Sequence, residues 1–165
     1  MKIFFLDTSA FVKYYHEEVG SEEIKRIYSE EERGLVISDI SITEFHSAIA
    51  RKVRGGEISK EAFEIVRKAF YKDVLNGLYD IEEFNERHKH RSIELIVSHS
   101  LDRNLRTLDS FQLSTALLLK EAASPDDSVY FVSADSTLCD IASQLSFEVI
   151  NPEKKESNRS PGLDL

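Results

Sequence analysis

Short apolar segments of the kind that form β-strands alternate along this chain with longer segments in which apolar residues recur every three or four positions. That alternation is typical of a parallel sheet with helical crossovers, because each strand needs a helix to return the chain to the same end of the sheet. We predict strands near 2–6, 35–38, 78–81, 129–132 and 148–150. The fold class is therefore α/β, with helices between the strands.

Four of the intervening helices can be outlined. One carries an apolar stripe from residue 42 to residue 53 and ends at Gly55 and Gly56, which leaves Arg51, Lys52 and Arg54 on its outer face. Another begins near Ser59. The remaining two are predicted over 82–98 and 111–123, and the last is apolar on most sides, which indicates burial against the sheet.

The length of 165 residues fits one domain, which we place at 1–152. Residues 153–165 are polar and unpatterned, and we predict a disordered tail there. The single Cys139 cannot form an intramolecular disulfide and is expected to be a small core residue. Neither a secretory leader nor an apolar run of about 20 residues occurs, so we expect a cytoplasmic protein without a membrane span.

Charge is unevenly distributed. The net charge is −9, which by itself argues against a nucleic-acid partner. However, residues 51–106 carry 12 basic and 10 acidic side chains, whereas both flanking regions are strongly acidic. A polyanion is therefore expected to contact the middle of the chain, with Arg51, Lys52 and Arg54 as candidates, although solvated helix faces would give the same pattern.

Four carboxylates follow strands or begin helices: Asp7, Glu44, Asp109 and Asp135. In an open parallel sheet these positions share the edge formed by the carboxyl ends of the strands, where ligand sites form. Helix capping alone would explain each acid, and Ser41 to Glu44 and Asp109 to Gln112 have the spacing of capping boxes. Two carboxylates about 5 Å apart nevertheless repel by roughly 3 kcal/mol at an effective dielectric of 20, so capping does not explain a cluster.

Hard oxygen ligands without nearby cysteine or patterned histidine favour Mg²⁺ or Mn²⁺ over Zn²⁺. A carboxylate-bound cation with open water positions can activate water and stabilise charge on phosphoryl oxygens. The acidic cluster therefore points to phosphodiester hydrolysis. The chain has neither a GxxxxGKS loop nor GxGxxG, and it lacks the paired acids of phosphoreceivers and DxD phosphatases.

Four blocks of sequence resemble the signature blocks of PIN-domain ribonucleases, and in particular VapC-type toxins of type II toxin–antitoxin systems. They are LDTSAFVKYY with EVGSEE, ISITEFHSAIARKVRGGEIS, LRTLDSFQLSTALLL and FVSADSTLCDIASQLSFEVINP, and together they span residues 2–152. The resemblance implies a three-layer fold with a five-stranded parallel sheet flanked by helices. It also implies a four-carboxylate Mg²⁺ or Mn²⁺ site that cleaves RNA.

Carried over by position, the family's acids fall on Asp7, Glu44, Asp109 and Asp135, and its supporting small polar residues on Thr8 or Ser9 and on Ser133. Ser146 replaces a glycine common before the last strand. Two further acids need separate interpretation. Asp39 is either a helix cap or an outer-shell group, and Asp102 could be mistaken for the third acid, although Asp109 is preferred because it begins a buried helix.

The resemblance implies a VapB-like antitoxin partner, and a guanidinium is the group best suited to silence four carboxylates. A homodimer is also expected, with Phe63, Phe70, Tyr71 and Phe84 supplying apolar surface, unless these side chains pack inside. Two other functions remain open: a housekeeping PIN nuclease in RNA processing, and a catalytically silent PIN scaffold.

Overall fold

The computed structural model describes residues 1–154, which form five strands and seven helices. The strands are β1 (Lys2–Leu6), β2 (Arg33–Ser38), β3 (Asp80–Glu82), β4 (Ser128–Val132) and β5 (Glu148–Ile150). The helices are α1 (Thr8–Tyr15), α2 (Ser21–Tyr28), α3 (Asp39–Arg54), α4 (Lys60–Leu75), α5 (Glu86–His99), α6 (Thr107–Ala122) and α7 (Ser136–Gln144). All strand pairs are parallel, in the order β3-β2-β1-β4-β5, which confirms the predicted α/β fold.

Strand β1 lies at the centre of the sheet and is buried on both faces. Phe4 and Leu6 pack into a cluster with α1, α2, α3 and α4, whereas Ile3 and Phe5 pack into a second cluster with α5, α6 and α7. Two buried faces explain why this strand is a continuous apolar run rather than an alternating one. The helices therefore form a layer on each side of the sheet.

The start of α3 differs from the sequence prediction and this difference matters for the site. Ser38 caps the helix by accepting a hydrogen bond from the Ile40 amide at 3.3 Å, so the helix begins at Asp39. The predicted capping box from Ser41 to Glu44 is therefore wrong. Because Glu44 lies in the second turn, its carboxylate is not used to cap the helix.

Two other helix starts were misplaced. The helix predicted from residue 82 begins at Glu86, because Glu82 belongs to β3 and Asn85 accepts a hydrogen bond from the Arg87 amide as the cap. Helix α6 begins at Thr107, two residues before Asp109, which lies inside the first turn, so the predicted box from Asp109 to Gln112 is also wrong. The helix predicted to begin near Ser59 is confirmed, and Ser59 is its cap.

Ser146 precedes β5 with a φ of 62°, in the left-handed region. Glycine adopts this conformation with less strain, which explains the glycine that the resemblance places at this position. Cys139 is buried as expected, and burial raises the pKa of its thiol to about 11. This cysteine is therefore a packed core residue rather than an activated thiol.

Three of the four aromatic side chains suggested for a dimer interface are packed within the molecule. Phe70 is fully buried, Phe63 packs against the same core cluster, and Phe84 lies against Phe111 with ring centroids 4.6 Å apart. Tyr71 is 41% exposed. These residues therefore give no extended aromatic surface, since the core needs most of them.

The polar C-terminus is described only at its start. Glu153, the first residue of the predicted tail, accepts a hydrogen bond of 2.7 Å from the buried Lys13. Residues 155–165 of the predicted tail lie outside the described residues. Among residues 1–154, no helix combines the length and apolar character needed to cross a membrane.

Candidate active site

All four predicted acids line one groove, of about 740 Å³, at the carboxyl ends of the central strands. Asp7 follows β1 and caps α1, and Asp135 follows β4 and caps α7. Glu44 lies on α3 and Asp109 in the first turn of α6. The order of the strands reverses beside β1, and open parallel sheets bind ligands at such a reversal.

Asp7 is buried, with 6% of its surface exposed. Its Oδ2 accepts hydrogen bonds from Ser9 Oγ at 2.5 Å, Ser133 Oγ at 2.9 Å and the Ser9 amide at 3.3 Å. Burial raises the pKa of Asp7 to about 6; the hydrogen bonds from Ser9 and Ser133 oppose that rise, while the charge of Glu44 adds to it. The buried carboxylate is therefore costly to ionise without a cation.

Glu44 is held by side chains from two other helices. Its Oε2 accepts hydrogen bonds from Thr8 Oγ1 at 2.8 Å and from Gln112 Nε2 at 2.5 Å. The same amide nitrogen lies 3.0 Å from Ser41 Oγ. Helices α1, α3 and α6 are thus joined around one carboxylate.

Asp109 and Asp135 are held by backbone amides. Asp109 Oδ2 accepts from the Arg106 amide at 3.3 Å, and Asp135 Oδ1 accepts from the Leu138 amide at 2.9 Å. Desolvation raises the pKa of Asp109, and the nearby charges of Asp135 and Glu44 add to the rise, although the Arg106 amide opposes it. Asp109 therefore shares the electrostatic environment of the other acids.

The four carboxylates have one arrangement in common. Within the described residues, each uses a single oxygen for all of its hydrogen bonds to the protein: Oδ2 of Asp7, Oε2 of Glu44, Oδ2 of Asp109 and Oδ1 of Asp135. The second oxygen of each acid has no protein donor among residues 1–154. No three of the groove acids have oxygens within 4.8 Å of one another, so the arrangement suits a hard divalent cation that binds one or two carboxylates directly and keeps several waters.

A tighter group of candidate ligands lies elsewhere. Among residues 1–154, the one group with ligand atoms within 4.8 Å of one another consists of His16, Glu18 and Glu57. Lys52 Nζ lies 2.5 Å from Glu18 and 3.1 Å from Glu57, and Lys13 lies 3.0 Å from Glu18. These carboxylates are already neutralised by ammonium groups, so the groove is the better cation site.

The predicted supporting residues all contact the site. Thr8 holds Glu44, while Ser9 and Ser133 hold Asp7. Ser9 Oγ also accepts from the Ala134 amide at 3.0 Å, which joins the ends of β1 and β4. Sequence reasoning missed Gln112, although a glutamine one turn after Asp109 in a helix predicted to be buried was a visible signal for it.

Of the three predicted RNA-binding cations, Arg51 lines the acidic groove and Arg54 is exposed at the end of α3. Lys52 is different, because its side chain is only 15% exposed and is engaged by Glu18 and Glu57. A fourth cation, Arg106, lines the groove from the start of α6 and was not singled out from the sequence. Neither Arg51 nor Arg106 forms an ion pair with the described residues.

Asp39 and Asp102 do not line the groove. Asp39 Oδ1 accepts a hydrogen bond of 3.1 Å from the Phe84 amide, and Asp39 is the first residue of α3 rather than its cap. This contact fixes the loop before α5 against α3. Asp102 is exposed in the connection between α5 and α6, so the choice of Asp109 as the groove acid agrees with the structure.

Several solved structures share this fold. FitAcB from Neisseria gonorrhoeae matches with a TM-score of 0.64 at 16% identity, and VapC20 from Mycobacterium tuberculosis, a toxin that cleaves the sarcin–ricin loop, matches with 0.62 at 14%. Each match covers 90% of this chain and 97% of the other. VapBC2 from Rickettsia felis, bound to a DNA fragment from the promoter, matches with 0.60 at 14%, covering 90% and 97%.

At the level of sequence, the chain matches a family model but no curated protein. The family model for the PIN domain matches residues 4–143, which includes all four groove acids and most of the sheet. The chain therefore belongs to the PIN-domain family.

Proposed function

We propose that this protein is a metal-dependent endoribonuclease and the toxin component of a toxin–antitoxin pair. One observation carries the proposal: four carboxylates line a single groove, and each has one oxygen held by the protein and one oxygen left free. PIN-family membership and the structural likeness to toxins support the same function. We expect the protein to act in the cytoplasm.

The alternative of a silent scaffold is less consistent with Asp7. A scaffold gains nothing from a buried acid whose pKa is raised to about 6, because an asparagine would accept the same hydrogen bonds without a charge. A divalent cation would offset the repulsion among the acids. A housekeeping PIN nuclease would use the same groove, so it remains the second candidate.

Mg²⁺ or Mn²⁺ is the proposed cofactor, held by Asp7, Glu44, Asp109 and Asp135. When bound, such a cation activates water for attack on phosphorus and stabilises the charge of the phosphoryl oxygens. The chain's own contribution is to fix the four oxygens through Thr8, Ser9, Ser133 and backbone amides. Since each acid is fixed by one oxygen, the other has no protein donor among the described residues and can bind a cation.

We propose that the substrate strand crosses the groove between α3 and α6. Arg51 on α3 and Arg106 at the start of α6 line its two walls, and their guanidinium groups supply the positive charge that phosphate binding requires. Arg54 extends the α3 wall outward. Lys52 can bind RNA only if its ion pairs with Glu18 and Glu57 break, so we propose a smaller role for it in RNA binding than the sequence predicted.

The proposed partner is a VapB-like antitoxin that inserts an arginine among the four acids. A guanidinium can form paired hydrogen bonds to the free carboxylate oxygens while neutralising the groove. The apolar part of the same segment would fit a groove of about 600 Å³ between α1, α2 and α4, lined by residues that include Tyr14, Tyr28 and Ile65. Toxin–antitoxin complexes among the structural neighbours support a partner of this kind.

RNA cleavage tests the proposed activity. The purified protein is incubated with a pool of structured RNAs in Mg²⁺, Mn²⁺ or EDTA, beside the Glu44→Gln variant. We expect products only with metal and only from the wild-type chain, because glutamine keeps the hydrogen bonds of Oε2 but replaces the free oxygen with an amino group. Metal-independent products, or equal cleavage by both proteins, would reject the assignment.

Inhibition tests the partner. The neighbouring open reading frame, if it encodes a short DNA-binding protein with an arginine-containing C-terminal segment, supplies the candidate antitoxin. Its arginine-to-alanine variants should lose inhibition of RNA cleavage, whereas lysine substitution should retain part of it. Unchanged inhibition by every arginine variant would remove this model of the complex.

A further inference from the structure

Gln112 is a buried polar side chain on α6, one turn after Asp109. It is 1% exposed, and its neighbours Leu113 and Ala116 pack into the core. A buried amide costs free energy unless its hydrogen bonds are made. Its contacts therefore indicate why the position is not occupied by an apolar residue.

Those contacts lead to the acidic groove. Gln112 Nε2 lies 2.5 Å from Glu44 Oε2 and 3.0 Å from Ser41 Oγ, so its two N–H groups have two acceptors. The opposite amide orientation would place the carbonyl oxygen against the carboxylate, where two acceptors repel each other. Glu44 therefore fixes the amide with its nitrogen toward the groove.

The amide donates to the oxygen of Glu44 that Thr8 also holds. Two donors on Oε2 fix the carboxylate in one rotation about its terminal bond and leave Oε1 without a protein partner among the described residues. A neutral donor is suited to this task, because lysine or arginine at this position would neutralise Glu44 and compete with a cation. Ser41, fully buried on α3, accepts a hydrogen bond from the same amide nitrogen at 3.0 Å.

We propose that Gln112 is a positioning residue: by holding Oε2 of Glu44 together with Thr8, it presents Oε1 as a single-oxygen ligand for the divalent cation. The inference rests on the proposed metal-dependent function and adds a residue that does not itself touch the cation or the RNA. Outer residues of this kind typically change metal affinity by 10- to 100-fold when removed. Gln112 is therefore expected to affect metal binding more than folding.

The test is Mn²⁺ binding to the metal-free protein, measured by titration calorimetry without RNA. The variant Gln112→Met keeps an unbranched side chain of similar length and removes the donor. Thr115→Val is the matched control, because Thr115 is also buried on α6 but bonds only to the Phe111 carbonyl. Glu44→Gln removes the ligand itself, and circular dichroism and thermal unfolding follow the fold of each protein.

We expect Mn²⁺ affinity to fall at least tenfold in Gln112→Met, to be lost or nearly lost in Glu44→Gln, and to stay within twofold of wild type in Thr115→Val. Wild-type affinity in a folded Gln112→Met protein, with Glu44→Gln still impaired, would overturn the role of Gln112 and leave the metal site intact. If the wild-type chain itself binds no Mn²⁺, both the inference and the proposed function are overturned.

A second variant keeps the test decisive if Gln112→Met fails to fold. Gln112→Asn retains a buried amide beside Ser41 but is one methylene shorter, so it cannot reach Glu44 with the same geometry. We expect the same loss of Mn²⁺ affinity from this variant. Full affinity in Gln112→Asn would show that contact with Glu44 is not needed, and would reject the proposal.

Discussion

Ser133 donates a hydrogen bond of 2.9 Å to Oδ2 of Asp7, a residue 126 positions earlier in the chain. The contact joins the ends of the neighbouring parallel strands β4 and β1. Ser9 donates to the same oxygen, and Oδ1 has no protein donor in the described structure. An asparagine can therefore replace Asp7 with its carbonyl oxygen at Oδ2 and its amino group at Oδ1.

We predict that Asp7→Asn stabilises the metal-free protein at neutral pH. The pKa of Asp7 is raised from 3.8 to about 6 in the folded state, so the folded chain binds this proton more tightly than the unfolded chain. Ionising Asp7 therefore costs stability as pH rises from about 4 to about 6, and the full cost, up to about 3 kcal/mol, is present above 6. Urea unfolding in EDTA at pH 7.5 and pH 4 measures the difference.

The gain should be present at pH 7.5 and absent at pH 4, where the wild-type carboxyl is largely protonated in the folded protein. An Asp7→Asn variant that is less stable at both pH values would mean that the carboxylate stabilises the fold as a helix cap. It would contradict the proposal that the carboxylate destabilises the metal-free protein. Added Mn²⁺ should stabilise the wild type more than the variant.

Substitutions of Asp109 and Asp102 test which of these two acids RNA cleavage requires. We expect Asp109→Asn to reduce RNA cleavage by at least a hundredfold, because Asp109 lines the groove and its free oxygen is lost. Asp102→Asn should leave cleavage within about twofold, since Asp102 lies outside the groove. Initial rates at saturating Mg²⁺ measure both, and a larger loss in Asp102→Asn would mean that the third acid has been misassigned.

The salt dependence of RNA binding tests the two arginines on the groove walls. In an inactive Glu44→Gln background, Arg51→Ala and Arg106→Ala should each weaken binding and reduce the slope of log K against log salt by about 0.7, the value for one phosphate contact on a single strand. Arg87→Ala, on the exposed face of α5, is the control. Equal slopes for all four proteins would place the RNA elsewhere.

A homodimer remains a prediction, but its expected surface has changed. Ile93 and Val97 lie on one face of α5 and Leu101 follows just after the helix ends; they are 52%, 71% and 92% exposed. We expect light scattering to give twice the monomer mass of 18.9 kDa and Val97→Lys to shift the protein toward monomer. Tyr71→Lys on α4 should leave the mass unchanged, and a monomeric wild type at micromolar concentration would rule out the dimer.

Local sequence pattern predicted the carboxyl ends of four strands and the four acids, because an apolar run followed by a helix-capping oxygen is visible within ten residues of sequence. The short strand β3, predicted at 78–81, lies at Asp80–Glu82 instead. Glu44 was predicted for the groove even though its supposed capping role was wrong. Ser38, three residues earlier than Ser41, caps α3 instead. An error in the helix start did not displace the site, because both readings put Glu44 near the end of β2.

Contacts between distant residues could not be predicted in the same way. Gln112 and Glu44 are 68 positions apart, and Lys52 and Glu18 are 34 apart. Periodicity placed Lys52 on the outer face of α3, yet the neighbouring chain brings Glu18 and Glu57 to it. Which cations remain free for RNA depends on this packing, and so does the choice of the oxygen that each acid leaves free.

The most direct test is the position of Mn²⁺ in crystals of the wild-type protein, located by anomalous scattering. We predict a peak in the groove within coordination distance of the free oxygens of at least two of the four acids, with Oδ1 of Asp7 or Oε1 of Glu44 among them, and no peak in Asp7→Asn crystals treated alike. A peak confined to His16, Glu18 and Glu57, or an empty groove in wild-type crystals at saturating Mn²⁺, would contradict the assignment of the acidic groove as the metal site.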